Sequence, residues 1–253
     1  MRWWLGLFLI ALPFVAHTEE VVLGLSKDKV AITTVFDGSE ILIFGAVKRE
    51  KPIPTGPPLE VVITVAGPSQ PVMVRRKAYR YGIWINVDSV GVDSAPAFYA
   101  VATSAPIDEV LSDVEDLRQK ITINRAIRSV GAPDAIKDAA SFTEALIRIR
   151  RKAELYQMLE GQVAVDQQTL FRTSIKMPAN LTEGDYTTRI FLTRAGKIVA
   201  SYETSIDVRK VGLERWLFAL SRENPMWYGL MSLAIAIAAG WGASAAFRLL
   251  RNT

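Results

Sequence analysis

Val30-Ala31-Ile32-Thr33-Thr34-Val35-Phe36-Asp37-Gly38-Ser39-Glu40-Ile41-Leu42-Ile43 is the stretch on which the fold class turns. Val30, Ile32, Thr34 and Phe36 alternate along one run, Asp37-Gly38 supplies a hairpin turn, and Ile41 and Ile43 alternate in the next. Period two on both sides of a turn predicts paired strands with one face inward. Outward from it, the run Lys51-Pro52-Ile53-Pro54-Thr55-Gly56-Pro57-Pro58 punctuates the chain. Apolar runs follow at Leu59 to Val65, Pro71 to Val74, Gly82 to Val87 and Ala97 to Ala102. Strands with turn signals every 8–12 residues or so predict an antiparallel β-sandwich of immunoglobulin-like type.

After Ala105 the period changes. Ile107, Val110, Leu111, Val114, Leu117 and Ile121 fall at helical spacing behind Pro106, a permitted first-turn proline. Ser141-Phe142-Thr143-Glu144 reads as a capping box opening a second helix, with Phe142, Leu146, Ile149, Ala153 and Tyr156 on one stripe and Gly161 as its end. The two predict a helical hairpin over residues 106–160, inserted into a mainly β fold and joined through Ser129 to Asp134. Strands return at Gln162 to Met177, Asp185 to Thr193 and Ile198 to Val208. Three strands are too few to stand alone, so residues 161–211 rejoin the strands of residues 19–105 or form a second lobe with the helices. Gly184-Asp185-Tyr186 resembles the corner by which many sandwiches enter their last hairpin.

The ends of the chain place it. Arg2, the apolar run from Trp3 to Val15 and the small or polar residues after it predict a signal peptide over residues 1–18. Met226 to Phe247 is free of charge, and its 22 residues make a helix of about 33 Å, enough to span a hydrocarbon layer of ~30 Å. Trp227 and Tyr228 sit at one end, Arg248 and Arg251 at the other. Residues 212–225 form an amphipathic lead-in around Trp216, and residues 248–253 a short cytoplasmic tail. The expected topology is a single-pass inner-membrane protein with its bulk in the periplasm. Arginines and lysines on the outer flank outnumber those on the inner, so the orientation rests on the signal peptide.

Composition narrows the chemistry. Of 253 residues, 50% are hydrophobic and 22% charged, and there is one histidine and no cysteine. The histidine is His17, inside or beside the predicted signal peptide. The body therefore lacks the commonest general base and transition-metal ligand, and has no thiolate, disulfide or iron–sulfur chemistry. An exported domain without cysteine fits a bacterial periplasm. No cofactor and no metal are expected. From Glu19 to Ala105 nine basic residues balance nine acidic ones, which excludes a nucleic-acid domain.

At this point the chain resembles a family of alphaproteobacterial transmembrane proteins, Alph_Pro_TM. The likeness is carried by Phe44-Gly45-Ala46, Gly82-Ile83-Trp84-Ile85-Asn86, Pro96-Ala97-Phe98-Tyr99-Ala100-Val101, Leu170-Phe171-Arg172 and Lys176-Met177-Pro178-Ala179. The resemblance implies a bacterial inner membrane and brings no activity with it.

Four constellations are candidates for function. Arg75-Arg76-Lys77-Ala78-Tyr79-Arg80-Tyr81 is the densest basic run, with aromatics interleaved, and offers Arg75, Arg76, Lys77, Tyr79 and Arg80 to an anion, a lipid headgroup or an acidic partner. The competing reading is a solvated strand edge, with Trp84 in the sandwich core. Ser232, Ala236, Gly240 and Ser244 recur every four residues along the apolar helix and would let another helix approach closely. Glu109, Asp113 and Asp116, with Asp108 and Glu115 nearby, suit either an all-oxygen cation site or pairing with Arg148, Arg150, Arg151 and Lys152 of the second helix. Ser26-Lys27 and Ser174-Ile175-Lys176 are the only serine–lysine pairs worth naming, and neither has an enzyme's context. The expected function is a non-enzymatic accessory protein acting on the bilayer and on another integral membrane protein. The alternatives are a periplasmic anionic-ligand or envelope-sensing domain and a carboxylate-based hydrolase.

Overall fold

A computed structural model describes residues 20–25, 29–32, 38–49, 52–53, 56–129, 138–210 and 213–251. The predicted signal peptide, Ser26-Lys27 and most of the Ser129 to Asp134 connection lie outside them. In chain order the strands and helices are β1 (Glu20–Leu25), β2 (Lys29–Ile32), β3 (Ser39–Lys48), β4 (Glu60–Ala66), β5 (Ser69–Arg80), β6 (Ile83–Pro96) and β7 (Tyr99–Thr103). Next come α1 (Ile107–Val110), α2 (Asp113–Gln119), α3 (Ile123–Ala126) and α4 (Ala139–Lys152). The chain continues with β8 (Tyr156–Leu159), β9 (Ala164–Asp166), β10 (Leu170–Met177), β11 (Gly184–Arg194) and β12 (Lys197–Lys210), and then α5 (Leu213–Glu223) and α6 (Pro225–Arg251).

The strands form a mainly antiparallel body. One sheet runs β1-β3-β10-β9, a second runs β2-β12-β11-β4-β7-β8, and β5 and β6 pair as a separate hairpin. The alternation read in β3 sets its face: Ile41, Ile43 and Val47 are buried, whereas Leu42 and Phe44 point outward. These inward residues join Val21, Phe171 and Ile175 of the same sheet and Val61, Ile63, Ile190 and Ile206 of the other in one shared core. Tyr186, fully buried near the start of β11, donates its hydroxyl to the Thr182 carbonyl at 2.7 Å. β4 and β7 are buried on both faces. Their outer side packs on a second core, built from Val62 and Val101 of the sheet, Val110, Ile121, Phe142 and Leu146 of the helical region, and Val74, Val90 and Val92 at the hairpin base.

Three expectations require correction. The described strands on either side of Asp37-Gly38 do not pair with each other: β2 lies parallel to β12 in one sheet, while β3 pairs with β1 and β10 in the other, and Thr34, Phe36 and Asp37 themselves lie outside the described residues. The first helix is broken. Leu111 is extended, Ser112 caps α2 by accepting from Glu115 N, and Val114 and Leu117 are consequently exposed. The second helix starts at Ala139 behind Asp138 and stops at Lys152, and Tyr156 belongs to β8, parallel to β7. The Tyr156 hydroxyl reaches the Pro96 carbonyl at 2.9 Å, which ties that strand to the sheet.

The expected charge-paired helical hairpin also takes another form. α4 packs on β5, β6 and β8. The acidic groups of α2 are used locally: Glu115 pairs with Arg118, and Asp116 accepts from the backbone amides of Ile121 and Thr122 and from the Thr122 hydroxyl. That carboxylate therefore closes the turn after α2. Arg150 instead donates to the Pro96 carbonyl and lies over the Tyr156 ring.

Candidate interaction surfaces

The basic run occupies β5 and the turn after it. Val74 and Val90 seat the base of the hairpin in the second core. Above them a register shift between Arg76 and Lys77 leaves Val87 unpaired, and beyond it Lys77 opposes Asn86, Tyr79 opposes Trp84 and Arg80 opposes Ile83. Tyr81 and Gly82 close the turn with φ of 53° and 84°, the double positive φ of a two-residue hairpin loop. Glycine meets this at no cost, whereas tyrosine does not.

Strand alternation divides the five predicted residues. Arg75, Lys77 and Tyr79 share a face with Trp84 and Asn86, and Arg76 and Arg80 lie on the other. Arg76 belongs to the body: its guanidinium stands 4.4 Å from the Phe142 ring centroid, 2.5 Å from Asp138 Oδ2, 2.8 Å from Ser141 Oγ and 3.6 Å from Asp88 Oδ2. That guanidinium holds the Asp138 carboxyl below its ordinary range. Arg75, Lys77 and Arg80 make no ion pair or side-chain hydrogen bond among the described residues.

Trp84 is not in the core. It is 67% exposed and meets Tyr79 edge-on, with ring centroids 5.6 Å apart. The hairpin tip extends past the sheets that would have covered it. Tyr81, which closes the basic run, and Ile83, within one of the family-resemblance segments, are not among the residues offered to a ligand, yet they stand at the apex, Tyr81 fully exposed. Their signal was a Tyr-Gly pair between two alternating runs.

The second candidate lies on α6. Its Pro225–Ser244 stretch is long and apolar enough to cross a bilayer, and none of it is buried by the rest of the chain. Ser232, Ala236, Gly240 and Ser244 fall on it at four-residue intervals, a flank that drifts about 40° per step. The Ser232 hydroxyl is returned to the Tyr228 carbonyl at 2.8 Å, and a Cβ placed on Gly240 would touch nothing. A family model described as "Putative transmembrane protein (Alph_Pro_TM)" matches residues 20–249, nearly the whole chain.

The chain belongs to the Alph_Pro_TM family. No curated protein matches it. As an Alph_Pro_TM protein it is a membrane protein with a β-rich body, and α6 is its one candidate span among the described residues. Two of the segments that carried the family resemblance meet in space. Phe171 lies opposite Gly45 and Arg172 opposite Phe44 across the β3–β10 pair. Phe44 and Arg172, with Val22, Gly24 and Leu170, line a shallow apolar depression on the outer face of the four-stranded sheet. Phe44 covers Gly24 there: a Cβ at Gly24 would come within 2.4 Å of the Phe44 ring.

Proposed function

We propose that this Alph_Pro_TM protein is a non-enzymatic accessory protein of the bacterial inner membrane, tethered by α6, with its body in the periplasm, and that it holds an integral membrane partner such as a transporter. The observation that carries the reading is the bare surface of α6. No residue of the Pro225–Ser244 span is buried by the rest of the chain, which leaves it to lipid or another helix, and its small-residue flank admits a helix at close range. The absence of cysteine and the position of the lone histidine support a role without thiolate, imidazole or transition-metal chemistry.

The reading includes an immunoglobulin-like sandwich. Two features support it. The order β1-β3-β10-β9 against β12-β11-β4 follows the A-B-E-D and G-F-C arrangement of such domains, and the Tyr186 hydroxyl on the Thr182 carbonyl has the form of their tyrosine corner.

A photo-cross-linking residue at Ala236 is expected to give a discrete adduct in native membranes, lost with Gly240→Leu, whereas the same residue at Ala234, on the opposite side of the helix, gives none. Absence of an adduct at Ala236 in a membrane-integrated chain overturns the lateral partner. A second reading, a periplasmic domain for small anionic ligands, is favoured by the three cations of β5 that have no ion pair or side-chain hydrogen bond among the described residues. It predicts stabilisation of the full chain by such an anion that Arg75→Ala abolishes.

A further inference from the structure

We infer that the tip of the β5–β6 hairpin docks on the surface of a bilayer leaflet carrying anionic phospholipid, with Tyr81, Ile83 and Trp84 entering the headgroup layer and Arg75, Lys77 and Arg80 meeting the phosphates. The inference rests on the membrane attachment in the proposed function and is independent of any lateral protein partner.

Three independent properties of the tip converge on that occupant. The first is charge. From Arg75 to Val87 the hairpin carries four cations and no carboxylate. Arg76 is engaged by Asp138, Asp88 and the Phe142 ring, and the other three cations have no partner within the described body. A cluster without carboxylate partners among the described residues complements an anionic surface.

The second is the kind of apolar group exposed. Tyr79 and Ile83 are each 61% exposed, Trp84 67% and Tyr81 100%. Trp and Tyr with cations beside them form the composition that settles at a bilayer interface, where rings sit among the headgroups and cations reach phosphate. Exposed rings also cost solubility, which a free loop would avoid. Tyr81 is not explained by the turn either, because its φ of 53° is one that Asn or Gly adopts more readily.

The third is reach. The hairpin is free above Arg76, and four residues from Lys77 to Tyr81 at ~3.4 Å each raise the apex by about 14 Å. A headgroup layer of roughly 5–7 Å per leaflet is within that length. The Tyr79–Trp84 contact and the cross-strand Arg76–Asp88 pair keep the two strands together along the way. The anchor holds the body near the surface, so docking is intramolecular and a weak contact suffices.

The chain has no cysteine, so Tyr81→Cys places one label at the apex. Full-length protein carrying an environment-sensitive fluorophore there is reconstituted at low density into vesicles of phosphatidylcholine alone or of equimolar phosphatidylcholine and phosphatidylglycerol. The expected result is a blue shift and quenching by acyl-chain-brominated lipid in the anionic vesicles, both absent for a label at Ser201→Cys. Each cation removed is expected to weaken docking about five-fold, so Arg75→Gln, Lys77→Gln and Arg80→Gln together weaken it about hundred-fold. Tyr81→Asn, labelled at Ile83→Cys, should keep or raise the thermal midpoint while losing docking several-fold, which separates docking from hairpin folding. Equal emission in neutral and anionic vesicles overturns the inference. So does a shift that grows with protein density, which would assign the tip to a second copy, or one produced by inorganic phosphate without anionic lipid, which would assign it to a free anion. Carbonate extraction separates the two accounts: a chain released from the vesicles refutes the tether, whereas a retained chain with a water-exposed label refutes the docking alone.

Discussion

Arg76 joins three elements through one side chain. It lies on β5, pairs across the strand with Asp88 of β6, and covers Phe142 and binds Asp138 and Ser141 at the start of α4. A half-buried guanidinium over a ring is worth more than an exposed ion pair, because the ring limits the access of water to it. Arg76→Met keeps the apolar stem and removes the charge. It is expected to lower the thermal midpoint of the full chain by about 2–4 °C, the scale of one such contact in a body of this size. It should also speed amide exchange in the first turn of α4. Arg75→Met, one residue away on the open face, should change neither, and equal effects of the two would contradict this division of labour.

Among the elements, β3 and β10 depend on a missing side chain. Phe171 packs against Gly45, where a Cβ would lie 2.4 Å from the ring and 2.8 Å from the Val22 carbonyl. Gly45→Val forces either the ring or β1 to move, and overpacking of this kind costs about 1–3 kcal/mol. Chemical denaturation is expected to show that loss with the slope against denaturant unchanged, and an unchanged midpoint would contradict the packing. The strand β3 is legible in the sequence, because Ile41 and Ile43 alternate with outward residues. So is the strand that begins at Gly184. The partner of β2 is not legible, since a parallel pairing with β12 leaves no local mark on a four-residue strand. Tyr156 misleads because one strand residue can extend a helical stripe by chance, and only the parallel pairing with β7 reveals its place. For the candidate surface, the basic run is visible as composition. Its division into Arg76 within the body and Arg75, Lys77 and Arg80 outside depends on where α4 ends up, which is tertiary information. The same holds for Trp84, since period two does not say whether a hairpin stands inside or beyond a sheet.

At the scale of the whole molecule, two cores share the six-stranded sheet, and three tyrosines are fixed in them. Burial raises the hydroxyls of Tyr156 and Tyr186 to about 12, and raises that of Tyr99 in spite of the opposing Arg189. In each case the folded state holds the proton more tightly than the unfolded chain, where tyrosine titrates near ~10. Their contribution is therefore fully present below pH ~10 and is lost as pH rises through the folded values. Denaturant unfolding of the full chain is expected to weaken steeply between about pH 10 and 12, with proton release on unfolding that Tyr156→Phe and Tyr186→Phe reduce. Stability that stays level across that interval would contradict the burial of these groups.

The account as a whole stands on α6 threading the bilayer with the β-rich body on the periplasmic face. A chain without native cysteine permits a direct reading of both sides. Single cysteines at Ser201 and Thr253 are treated with a membrane-impermeant maleimide in intact spheroplasts. The account predicts that Ser201→Cys is labelled at once and Thr253→Cys only after the membrane is opened. Labelling of Thr253→Cys in intact spheroplasts with Ser201→Cys protected would contradict it.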